Sequence, residues 1–161
     1  MAADAATVEN GLKERKARVS ETKAKNLRTE LKRSCNVSRP RETVKILYDH
    51  KLTDVGGKSI VGTEVTYPPG GLTPPHRHVG ATVVAYVTEG RVPSGMNGNP
   101  PKVYEVGESF VELPGCHHTV GEDCSEESVA RLVAVFVVDT DVLRLGYEGL
   151  VVMDDELPTC T

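Results

Sequence analysis

The chain of 161 residues contains no tryptophan, two phenylalanines and five tyrosines. No apolar run approaches the roughly 20 residues needed to span a bilayer, so a transmembrane helix is excluded. The N-terminus shows no hydrophobic signal core, and the expectation is a soluble, cytoplasmic protein with no membrane partner. None of the four cysteines, Cys35, Cys116, Cys124 and Cys160, stands in a C-x-x-C pair. In a chain without a secretion signal they read as free thiols in a reducing compartment. The sequon at Asn36–Ser38 has no consequence in that setting.

Charge is scarce in the balance but not in its distribution. Formal net charge is −4, yet the first 42 residues hold 11 of the 19 Lys and Arg against 6 of the 23 Asp and Glu. This segment is basic, and the rest of the chain is correspondingly acidic. It carries only a thin stripe of Val8, Leu12, Val19, Leu27 and Leu31, which predicts a partly helical or disordered extension over 1–42. It lacks an aromatic side chain to stack on bases and lacks a convincing helix-turn-helix, so no nucleic-acid partner is expected.

From Thr43 the pattern changes to short Val-rich runs between Gly and Pro turns. "TVKILYDH", "SIVGTEVTY", "ATVVAYV", "KVYEV", "FVEL" and "VARLVAVFVV" read as strands. Asn97-Gly98 between "RVPSGM" and "KVYEV" is a strong hairpin signal. Strands of 5–10 residues with such frequent turns predict an all-β, antiparallel sandwich or small barrel over 43–153. The end of the chain, "YEGLVVMDDELPTCT", predicts a short covering segment and a tail at 154–161.

Four of the five histidines fall in two clusters, His76 and His78, then His117 and His118. Residues two apart on a strand face the same side, so His76 and His78 can converge on one ion. His117 and His118 are adjacent and face opposite ways, so one of them can join that site. Three neutral imidazoles suit Zn, Fe, Ni or Cu and leave positions open for water or substrate.

The stretch "GGLTPPHRHVGATVVAYVTEG", Gly70–Gly90, resembles the first motif of the cupin superfamily, G-x5-H-x-H-x3–4-E-x6-G. "GESFVELPGCHHTVGE" resembles its second motif, G-x5-P-x-G-x2-H-x3-N, with Gly107, Gly115 and His118 in place. The resemblance covers roughly Thr43 to Met153 and implies a jelly-roll β-barrel whose metal ligands are His76, His78 and His118. Two departures stand out. The motif-one glutamate falls at Thr82 or Val83, neither of them a good ligand, and Glu122 stands at the motif-two asparagine.

Glu112 is one replacement for the missing carboxylate, since a glutamate inside a barrel is costly unless it binds a cation or serves as a base. Strand alternation leaves its direction open: Phe110 favours an inward Glu112, whereas Val111 and Leu113 favour an outward one. Tyr86 and His117 are further catalytic candidates, as hydrogen-bond donor and proton carrier. The resemblance to small cupin oxidoreductases of microbial secondary metabolism implies an Fe(II) and O2 enzyme, with Zn, Mn or Ni as other cations. Its substrate would be a small aromatic or polyketide-like molecule, and its assembly a homodimer. A non-redox metal-dependent decarboxylase, isomerase or cyclase, and a non-catalytic binding barrel, remain alternative readings.

Overall fold

A computed structural model describes residues 39–154 of the chain. The larger part of the basic N-terminal extension, residues 1–38, and the tail beyond Asp154 lie outside the described residues.

Valine-rich alternation sets the strands. Strand β1 (Thr43–Lys51) and β2 (Lys58–Tyr67) form an antiparallel hairpin. The loop after β2 carries two short strands, β3 (Leu72–Thr73) and β4 (His76–Arg77). Next come β5 (Thr82–Glu89), β6 (Arg91–Met96), β7 (Lys102–Glu105), β8 (Ser109–Glu112) and β9 (His117–Glu122). The long strand β10 (Ala130–Asp139) is followed by two 3-10 turns, Thr140–Leu145 and Tyr147–Leu150, and by β11 (Val152–Met153).

One sheet runs in the order β1-β2-β10-β5-β8, the other β11-β4-β9-β6-β7 with β3 beside β9. All the strand pairs are antiparallel. This is the antiparallel all-β architecture that the spacing of turns predicts, in the jelly-roll form that the motif resemblance implies. The period of two is clearest on β10, where Ala130, Leu132, Ala134, Phe136 and Val138 are buried. On β5, Val83, Ala85 and Val87 take the inner positions. Branched side chains suit this role because their restricted χ1 loses little on a pleated surface.

The inner faces of both sheets border one cavity of about 530 Å³. Segments at both ends of the described chain pack against the barrel. Arg39 donates to the Gly70 carbonyl and pairs with Glu122, and Arg41 bridges to Leu72, so the residues just before β1 are held against the barrel. Leu150, Val151 and Met153 border the cavity, and β11 pairs with β4. The C-terminal segment therefore covers the barrel as its composition predicts. No helix among the described residues is long and apolar enough to cross a membrane.

Asn97 and Gly98 both adopt positive φ, 56° and 75°, in the β6–β7 turn. Gly90, between β5 and β6, also needs positive φ at 70°, and a Cβ there would lie 2.8 Å from the Val129 carbonyl oxygen. A Cβ on Gly98 would meet nothing within 4 Å. Gly98→Ala should therefore cost only conformational strain, about 1–2 kcal/mol. Gly90→Ala adds a steric clash and should cost more, measured as the difference in urea unfolding free energy. Equal losses in the two variants would contradict the close approach of β10 to this turn.

Candidate metal centre

Cross-strand register brings the histidines together. His76 on β4 lies opposite His118 on β9, and Arg77 lies opposite His117. Directly paired residues share a face of the sheet, so His76 and His118 enter the barrel together while Arg77 and His117 leave it. His78 lies two residues beyond His76 and returns to the same interior.

The fourth donor comes from the other sheet. On β8, Phe110 and Glu112 are buried, whereas Val111 is 48% exposed and the following Leu113 is 60% exposed. The alternation thus follows Phe110, and the two aliphatic neighbours occupy the outer face. Glu112 lies directly opposite Val83 on β5. Val83 is one of the two positions where the first motif has its glutamate, so the carboxylate reaches the interior from the adjacent strand at the same level.

His76, His78, Glu112 and His118 present donor atoms that all lie within 4.8 Å of one another. His76 Nε2 is 3.3 Å from His78 Nε2, and Glu112 Oε2 is 3.3 Å from both His78 Nε2 and His118 Nδ1. The far side of each ring is already committed. His76 Nδ1 donates to the Pro74 carbonyl at 2.8 Å, and His78 Nδ1 donates to the Leu150 carbonyl at 3.0 Å. His118 Nε2 lies 3.0 Å from Ser94 Oγ. A carbonyl can only accept, so each of the first two rings carries a proton on Nδ1, and in the neutral ring the Nε2 turned inward is a bare lone pair.

Two lone pairs 3.3 Å apart repel unless something electron-poor lies between them. A proton would make one ring a cation, but burial, opposed by the Pro74 hydrogen bond, lowers His76 to about 4. Burial also lowers His118, partly offset by Glu112. Burial alone would raise the Glu112 carboxyl; proximity to His78, His118 and His76 outweighs it and holds the carboxyl below its ordinary range. Glu112 Oε2 and His118 Nδ1 are buried without a hydrogen-bond partner among the described residues, a cost of about 1–3 kcal/mol each. A divalent cation would satisfy every one of these groups at once, and the donor set fits it.

The cavity beyond the cluster is walled by apolar residues including Val65, Phe110, Leu132 and Phe136, and Tyr67 and Thr73 also line it. Two candidates from the sequence are absent from it. Tyr86 is 48% exposed because it shares parity with Val84 rather than with Val83 and Ala85. His117 faces outward, with Nε2 2.9 Å from Asp154 Oδ2. Sequence reading singles out neither Tyr67 nor Ser94, whose inward direction depends on register with β10 and β9. Glu122 takes no part in the cluster and is engaged by Arg39.

Comparison with known proteins agrees with the fold. A family model described as "Cupin domain" matches residues 63–136, a stretch that contains all four donors. Germin-like protein subfamily 2 member 2 of Arabidopsis thaliana is 36% identical over 72 residues, covering 42% of this chain and 33% of that protein. The chain thus spans about a third of the length of the curated relative it matches. A cupin domain from Bordetella pertussis superposes with a TM-score of 0.51 at 21% identity, covering 64% of this chain and 99% of that one. KdgF from Halomonas sp. gives 0.50 at 18% identity, covering 66% and 88%. At such identities the two structures establish the fold alone.

The lowered His76 has a consequence for stability without metal. Its folded value of about 4 lies below its ordinary 6.5. As pH falls through 6.5 the unfolded chain takes up this proton first, so stability is lost from there down to about 4. In chelator-treated protein, the part of this loss due to His76 between pH 7 and pH 4.5 should be about 2–3 kcal/mol. His76→Asn, which can keep a donor toward Pro74 but does not titrate, should show a correspondingly smaller fall in urea unfolding free energy. An identical fall would contradict the burial of a neutral imidazole.

Proposed function

This chain carries a cupin domain, and we propose that it is a metal-dependent oxidoreductase acting on a small, largely apolar organic molecule. His76, His78, Glu112 and His118 would hold one divalent cation, with Fe(II) the first candidate. The observation that carries the reading is the pair of inward lone pairs on His76 and His78, fixed by the Pro74 and Leu150 carbonyls and joined by two buried atoms without partners.

When bound, iron would supply the redox chemistry and a place for O2 beside a substrate oxygen. The protein's own residues perform the other tasks. The outer hydrogen bonds orient the imidazoles, and such contacts typically matter 10–100-fold to metal affinity. Phe110, Phe136 and Leu132 line the cavity with apolar surface that disfavours water. Tyr67 is buried, and burial raises its phenol above the ordinary value, so it is a neutral O–H group at physiological pH.

One observation favours oxidation over proton-transfer chemistry. A decarboxylase or isomerase would use Glu112 or His117 to move a proton. His117 lies on the outer face beside Asp154, and Glu112 belongs to the donor set.

The test is elemental analysis and cation titration of the untagged chain, with Glu112→Gln and His118→Ala. About one divalent cation per chain is expected, with affinity reduced at least tenfold in each variant. Substrate-dependent O2 uptake by the iron-loaded chain, and not by the zinc-loaded chain, is the expected activity. Unchanged affinity in Glu112→Gln would remove the carboxylate from the ligand set. No cation binding would overturn the reading, and turnover with zinc under anaerobic conditions would replace it with non-redox catalysis.

A further inference from the structure

The cavity contains a polar group that the metal cluster does not use. Tyr67, at the end of β2 opposite Ala130, is 3% exposed. Its hydroxyl accepts a hydrogen bond from Thr73 Oγ1 at 3.2 Å. Its own O–H proton has no acceptor among the described residues. A buried phenol whose proton is uncommitted, on the wall of a cavity, is a donor awaiting an acceptor.

Gly121 holds this hydroxyl in relation to the cluster. A Cβ on Gly121 would lie 3.2 Å from the Tyr67 hydroxyl and 3.1 Å from His118 Cε1. The missing side chain thus leaves one shared gap beside both groups. The cross-strand neighbours of Gly121 are Thr73 and Ser94. These are the two hydroxyl residues that engage Tyr67 and His118 respectively. One position on β9 therefore organises the phenol and the imidazole together.

The charges around the cavity define what else can enter. Its charged side chains are Glu42, Glu112 and Glu148, and no Lys or Arg borders it among the described residues. Arg39 is occupied outside by Glu122 and the Gly70 carbonyl. Away from the four metal donors, an anionic group placed against these apolar walls would lose its hydration without gaining a cationic partner.

We propose that Tyr67 is the ligand-orienting donor of this cavity, and that the part of the ligand lying beyond the metal donors is small and largely apolar, with one neutral oxygen acceptor and no anionic group. The inference rests on reading the cavity as a substrate site, but it uses atoms other than the metal donors.

Three probes of similar size test it: acetophenone, which has a carbonyl acceptor; ethylbenzene, which has none; and benzoate, which is anionic. Binding to the full chain is measured by NMR titration, both as purified and after chelator treatment, so that direct benzoate–metal contact is separated. In the chelator-treated chain, acetophenone should bind about fivefold or more tighter than ethylbenzene, the worth of one neutral hydrogen bond. Benzoate should bind weakest. Tyr67→Phe should abolish the preference for acetophenone while leaving ethylbenzene affinity unchanged.

The order of the three probes on the unaltered chain is decisive even if the variant does not fold. In the chelator-treated chain, equal binding of acetophenone and ethylbenzene, no saturable binding of acetophenone, or benzoate binding as tightly as acetophenone would overturn the proposal. So would a preference that survives Tyr67→Phe. If the expected order holds in a chain that takes up no cation, the metal reading fails and the role of Tyr67 stands.

Discussion

The hydrogen bonds from His76 Nδ1 to the Pro74 carbonyl and from His78 Nδ1 to the Leu150 carbonyl decide where the chemistry of this barrel can occur. A carbonyl cannot donate, so each bond fixes a tautomer and leaves a lone pair pointing inward. Burial then keeps His76 from relieving the repulsion by protonation. The energetic problem in the interior is thus created by the backbone around it. A single cation resolves it, together with the buried Glu112 and His118 atoms that lack partners.

Both carbonyls sit in segments that the rest of the fold must hold still. Pro74 lies in the loop between β3 and β4, whose strands pair with β9. Leu150 ends the second 3-10 turn, just before β11 pairs with β4. The proline-rich loop and the C-terminal cover therefore act on the same pair of imidazoles from opposite ends of the sequence. Arg39 adds a third tie, joining the chain before β1 to Glu122 on β9. Glu122 stands where the motif has asparagine, and its role here is to anchor this segment.

Much of this was legible before the structure, because it depends on local periodicity. Val-rich alternation and the Asn97-Gly98 turn were enough to expect an antiparallel sandwich or small barrel, the spacing of the histidines brought His76 and His78 together with one of His117 and His118, and the motif resemblance pointed to His118. Glu112 was undecidable for a physical reason: its strand is four residues long and flanked by apolar side chains on both parities. The interior side was set by pairing with β5, a non-local contact. Tyr86 and Tyr67 show the same limit. Each lies on a good strand, and only the register against β10 separates the outward phenol from the inward one. His117 was assigned a chemical role although adjacency to His118 already directed it outward.

The most direct measurement is long-range 15N–1H NMR of the histidine rings in the chelator-treated chain near pH 7.5. The tautomer of each ring is read from the shifts of its two nitrogens. The account predicts that His76 is neutral, protonated at Nδ1 and bare at Nε2, that His78 carries a proton on Nδ1, and that the Nε2 resonances move on addition of one equivalent of a divalent cation. A bare Nδ1 in either ring, or a charged His76 imidazolium at that pH, would contradict the claim that the Pro74 and Leu150 carbonyls prepare the centre for a metal.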